Sequence, residues 1–136
     1  MDSGAVTARP SGKMVWTGRI VSALVVLFLV GGSSFGLIKH ADMAPEMARM
    51  GFAASLGIKI PITCIICALI YAFPRTAVLG AILLTGYFGG ATLTHIRIGE
   101  PFFFPILVAV LAWGGIFLRD ARLRALVPLR QPERDR

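Results

Sequence analysis

Charged residues cut the chain into four apolar stretches joined by short polar ones. The clearest is Thr76 to Thr94, an uncharged run of 19 residues closed by Arg75 before it and by His95 and Arg97 after it. At a helical rise of about 1.5 Å per residue it covers roughly 28 Å, close to the ~30 Å hydrocarbon core of a bilayer. Ile20 to Ile38 is another uncharged run of 19, and Pro101 to Leu118 one of 18. Ile60 to Phe73 holds only 14 uncharged residues, about 21 Å of helix, and needs extending. Either the helix continues back to about Ala53, with Lys59 snorkelling outward and Pro61 as a kink, or it starts at Pro61 in the favoured first position, with residues 53–60 held at the interface. Tight turns at Pro74 to Thr76 and Gly99 to Pro101 make successive spans antiparallel neighbours. In the longest connection, Lys39 to Lys59, Met43, Met47 and Met50 follow a helical spacing and Gly51 offers a stop, which predicts a short amphipathic segment at the interface. The pattern predicts an all-α integral membrane protein, a four-helix up-down antiparallel bundle with spans at about 20–38, 54–73, 76–96 and 101–118.

Composition supports one small membrane domain, since 56% of the residues are apolar and only 15% charged. The net charge of +7 sits beside the apolar runs, where Lys and Arg set topology; this argues against nucleic acid as a partner. With both termini in the cytoplasm, the inner side holds Arg9, Lys13, Arg19, Arg75, Arg119, Arg122, Arg124, Arg130, Arg134 and Arg136. The outer side holds Lys39, Arg49, Lys59 and Arg97. Residues 1–18 read as a disordered basic leader. Residues 119–136 read as a basic cytoplasmic tail whose Leu123, Leu126 and Leu129 rest on headgroups. Arg19 with the apolar residues after it has the outline of a signal peptide, but the run to Ile38 exceeds the usual apolar region of such a segment. Trp16 and Trp113 are expected at the inner interface.

The chemistry-bearing residues are few. Thr85, Gly86, Tyr87, Gly89 and Gly90 put small residues and hydroxyls at mid-depth in the third span, which predicts helix packing there. Gly32 and Gly36 form a GxxxG pattern in the first span, and Gly86 with Gly90 another, so these four are the candidate packing glycines. Thr92, His95 and Arg97 add donors at the outer end; with Thr85 and Tyr87 they form a candidate ligand-lining set. Cys64 and Cys67 share a helix face as a candidate dithiol. A helix starting at Pro61 would activate Cys64 near its N-terminus, whereas one starting at Ala53 buries both thiols as inert small hydrophobes. No metal set, phosphate loop, HExxH or CxxCH occurs, and Asp42, Glu46 and Glu100 belong to outer loops, so no catalytic residue is assigned.

The run IYAFPRTAVLGAILLTGYFGGATLTHIRIGEP, the later WGGIFLRDARLRALVPLR and GLIKH after the first span together resemble the DoxX-like family of small bacterial membrane proteins. The resemblance covers nearly everything after Arg19 and is loose over residues 39–60. It implies a four-helix bundle of the bacterial inner membrane, largely without assigned activity. Some more distant DoxX proteins are associated with quinone-linked sulfur oxidation or thiol redox balance as subunits or accessories. Many relatives carry a Glu near the position of Cys64, so no role for that carboxylate carries over. The expectation is an integral membrane protein without assignable catalytic activity; the alternative is a quinone- or thiol-linked redox accessory. Expected partners are the lipid bilayer and a membrane subunit or second copy of the chain, and a quinone is the one cofactor the polar groups would suit.

Overall fold

The computed structural model describes residues 11–127. Among these the chain is all-helical: α1 Gly12–Ile38, α2 Ala44–Arg49, α3 Leu56–Ala72, α4 Ala77–Ile98, α5 Phe103–Arg119 and α6 Ala121–Leu126. The four longer helices pack in a ring, in which α1 touches α3 and α5, and α4 touches the same two from the other side. α1 and α4 are long and apolar enough to cross a membrane, whereas α3 and α5, at 17 residues each, are apolar but shorter. Leu24, Leu27, Phe28, Ile66, Leu79, Ile82, Leu93, Leu107 and Val110 all point outward from the ring. So continuous an apolar exterior fits a lipid solvent better than water.

The helices start and stop for local reasons. α1 begins eight residues before the expected span because Ser11 caps it, its Oγ accepting from the Met14 N–H at 3.3 Å. Residues 12–18 are therefore helical and not a disordered leader; residues 1–10 of that leader lie outside the described residues. α3 begins at Leu56 and carries Pro61 inside it, so neither expected start, Ala53 or Pro61, is the observed one. Cys64 accordingly sits more than two turns into the helix, beyond the reach of the terminal dipole effect that would have activated it. Gly99, at φ 75°, ends α4 in the left-handed conformation that a residue with a side chain adopts at a cost. The expected interfacial segment is α2, with Met47 buried and Met43 and Met50 half-buried. α6 departs from expectation, since Leu123 is buried in the core and does not rest on headgroups. Leu129 lies outside the described residues.

The packing glycines are not the expected ones. A Cβ built on Gly32, Gly86 or Gly90 would meet no atom within 4 Å, and one on Gly36 would touch only Pro61 Cγ at 3.7 Å. Within this chain, then, those four do not bring helices together. The close approaches are elsewhere. Gly80 lets α4 lie on the backbone of Tyr71, Gly18 faces the Gly115 carbonyl and the Arg119 N–H, and Gly115 faces Ser22 and Tyr71. Tyr71, wholly buried, sits where three helices meet. It donates its one phenolic proton to the Ala112 carbonyl on α5 at 2.8 Å, leaving its oxygen to pair with Ser22 Oγ on α1 at 3.0 Å. On the far side of α1, the Phe28 ring meets Phe104 of α5 edge to face, with centroids 5.5 Å apart.

Candidate functional site

A cavity of about 480 Å³ opens at the end of the ring where α1 and α4 finish, between α2, the start of α3 and the last turns of α4. Its walls are mostly apolar, from Met47, Met50, Phe52, Ile60 and Ala91. Its polar groups are Tyr87, Thr94 and His95. The Thr94 hydroxyl already donates its proton to the Gly90 carbonyl at 2.9 Å, which leaves the phenol and the imidazole as the side-chain donors lining the cavity. His95 Nδ1 lies 3.3 Å from Glu100 Oε2, an ion-pairing distance, but off the line of a hydrogen bond.

The wall over this cavity is tied down by charge. Arg49 at the end of α2 binds Glu46 at 2.6 Å and also reaches Glu100 in the turn after α4. Arg97 donates to the Met50 carbonyl and lies over the Phe52 ring, 6.0 Å from its centroid. So Arg97, expected to line a ligand site, instead holds the two residues that do. Its contacts link α4 to the segment after α2, which the Phe52 N–H also ties back to the Met47 carbonyl at 2.8 Å. The Arg49 hydrogen bond, its largest influence, holds the Glu46 carboxyl below the usual range; burial opposes this and the charge of Arg49 assists it. A carboxyl whose folded value is lowered contributes stability above its unfolded value, and that contribution goes as pH falls through the folded one. Thermal unfolding in detergent is therefore expected to move to lower temperature between about pH 5 and pH 3, and to move less in Glu46→Gln. Equal pH dependence in both proteins would show that this pair does not anchor α2.

The other predicted residues divide between two faces of α4. Tyr87 adjoins both thiols of α3, Cys64 and Cys67, which are free and buried at 3% and 7% exposure. Thr85 and Thr92 face away, into a larger groove of about 730 Å³ between α4 and α5 that Phe88, Trp113 and Phe117 also line. There Thr85 accepts from Trp113 Nε1 at 2.8 Å and donates to the Ala81 carbonyl at 2.7 Å, while Thr92 donates to the Phe88 carbonyl at 2.7 Å. Both hydroxyl protons are thus committed within the chain, and the lining of the groove is mostly apolar. Trp113 is bonded to α4 in this way, a role its expected place at the interface did not include. The structure joins Tyr87 and His95 as predicted neighbours and separates Thr85, Thr92 and Arg97 from them. Met47, Met50 and Phe52 were missed as lining residues because they belong to α2 and the loop after it, which only tertiary contacts bring over the cavity.

The sequence profile of the DoxX-like family matches residues 20–115, well over half of the chain. The chain belongs to the DoxX-like family. No curated protein and no solved structure matches it. Membership makes this a DoxX-type membrane protein. The matched region holds all of α2, α3 and α4 and the greater part of α1 and α5, and with them every residue that lines the cavity of Tyr87 and His95.

Proposed function

We propose that this DoxX-like protein is a multi-pass protein of the bacterial inner membrane, a four-helix antiparallel bundle with both termini in the cytoplasm. We further propose that its outer cavity binds a small apolar molecule with a hydrogen-bonding head, of the quinone class, without transforming it. The observation that carries this reading is the entry of Tyr87 and His95 into one otherwise apolar cavity at the outer end of the ring. Polar groups at membrane depth are rare unless they pair or serve a ligand, and a phenol with an imidazole suits a carbonyl head. The ten-to-four partition of basic residues supports the orientation. At 17 residues, α3 and α5 reach the lower limit for a span.

A second reading rests on the adjacency of Cys64, Cys67 and Tyr87 beside that cavity. In it the dithiol passes two electrons and two protons to a bound quinone, giving a disulfide and a quinol, and the protein is a redox accessory of a larger membrane assembly. The burial of both thiols favours the first reading.

The test is thermal unfolding in detergent with a short-chain quinone. A ligand that binds only the folded state raises the unfolding temperature by mass action. The expected result is a shift in wild type that is lost in Gly90→Leu, where the new side chain enters the cavity from a position with free space, and reduced in His95→Ala. A shift that survives in Gly90→Leu would place the quinone elsewhere and remove the reading. Formation of a Cys64–Cys67 disulfide on adding the oxidised quinone would favour the redox accessory over the simple binder.

A further inference from the structure

At the opposite end of the ring a second, smaller cavity of about 390 Å³ lies between α1, the end of α3 and the end of α5. Two arginines line it, Arg19 from α1 and Arg119 from the last position of α5, together with Ser22, and Val26, Leu27 and Ala72 form its apolar side. Arg119 is drawn inward, its guanidinium carbon 5.6 Å from the centre of the Tyr71 ring. Among the described residues it has no carboxylate partner, and its Nη2 is buried without a hydrogen bond. Leaving such a donor unmade in a half-buried position is costly unless a partner comes from outside. The other described groups at this end do not supply one. Lys13, Arg75, Arg122 and Arg124 are all basic, and the single acid among the described residues there, Asp120, accepts from the Arg122 N–H at 2.9 Å as the cap of α6.

The geometry points to a phosphate-binding site, formed by Arg19 and Arg119 and opening onto the apolar flank of Val26 and Leu27. Guanidinium groups match the oxygens of a phosphate in planar, paired hydrogen bonds, and two of them on separate helices can hold one group from two sides. The apolar flank runs outward along α1 toward the exposed Leu27, where the acyl chain of a lipid would continue. The favoured ligand is therefore the phosphate of an anionic phospholipid in the inner leaflet. A free phosphate shares the chemistry of the head but has no use for the flank. The assignment of the leaflet rests on the orientation proposed above; the site itself does not.

The experiment uses the full chain purified in a neutral detergent, with retained lipid read by native mass spectrometry and unfolding temperature read in parallel. Phosphatidylglycerol is expected to stay bound and to raise the unfolding temperature, and its apparent affinity is expected to fall about tenfold in Arg19→Gln and in Arg119→Gln. Arg75→Gln and Arg122→Gln, which remove charge at the same end outside the cavity, should bind as wild type does. Arg119 also packs on Tyr71, so if its variant does not fold, Arg19→Gln, whose side chain is exposed, decides alone. Equal losses in all the variants would mean diffuse attraction and would overturn the site. So would equal binding of phosphatidylcholine, which lacks the net charge. Inorganic phosphate that stabilises wild type but not Arg19→Gln would keep the site and assign it to a free anion. A reporter fused to the C-terminus that is active only outside the cytoplasm would reverse the orientation while leaving these detergent measurements intact.

Discussion

Gly80→Ala is expected to destabilise the fold by about 1 to 3 kcal/mol, read as a lower midpoint of unfolding in detergent, while Gly86→Leu leaves the midpoint where it was. The methyl group added at position 80 would fall on the backbone nitrogen and Cα of Tyr71, atoms that cannot rotate away. The helices must separate instead, and close packing over the whole α3 to α4 contact is loosened with them. In lipid such close packing is a main source of association, because no water is released when apolar helices meet there. Leucine at position 86, a far larger change, enters open space on the outer face of α4. Loss of stability in Gly86→Leu would show that this face is covered by another molecule, and would restore to a partner the packing role that the single chain does not give it.

The second large effect is at Tyr71. Its replacement by alanine is expected to cost about 3 to 5 kcal/mol, as for other buried aromatic residues, and Tyr71→Phe about 1 kcal/mol. The phenylalanine keeps the ring between α1, α4 and α5 and removes only the hydroxyl, so the difference between the variants separates packing from hydrogen bonding. Bonds between membrane helices are worth on average well under 1 kcal/mol when the unfolded chain can re-pair its groups in the bilayer, which keeps the smaller figure small. Unfolding in graded denaturing detergent measures both. A Tyr71→Phe loss as large as that of Tyr71→Ala would mean that the hydroxyl bonds to α1 and α5, and not the ring, carry what Tyr71 contributes.

Hydropathy located the helices because lipid demands a minimum apolar length, and the α4 and α5 boundaries fall within two residues of the expected ones. It could not say which face turns inward. Leu79 is exposed and Leu84 fully buried, yet a bilayer treats them alike, since the solvent outside is as apolar as the core within. Side-chain volume was the better signal. The buried positions Ala77, Gly80 and Ala81 of α4, and Ala112 and Gly115 of α5, are small residues at helical spacing, whereas GxxxG alone pointed to glycines on the outside. The site was legible in part for a similar reason. At about 100° per residue, Thr94 lies roughly 20° from Tyr87 around the helix and His95 roughly 80°, but Thr92 lies about 140° away and falls in the other groove. Charge misled at both ends of the chain. The basic residues near α1 and α6 hid a serine cap and a buried leucine, neither of which charge counting can register.

The ring of helices also has an order of completion. α1 is synthesised first, yet one of its two neighbours, α5, is the last long helix to be made. Tyr71 reaches 49 residues back to Ser22 and 41 forward to Ala112, so its pair of bonds exists only once the chain has returned on itself. Until then α1 and α3 present the small and polar positions Gly18, Ser22 and Tyr71 to whatever lies beside them in the bilayer. Closing that long loop carries an entropic cost that local helix pairs such as α3 and α4 avoid. Until α5 is in place, the face of α1 and α3 that it covers is open, and it is there, during biogenesis, that a chaperone or a second nascent copy would reach surfaces the finished protein conceals.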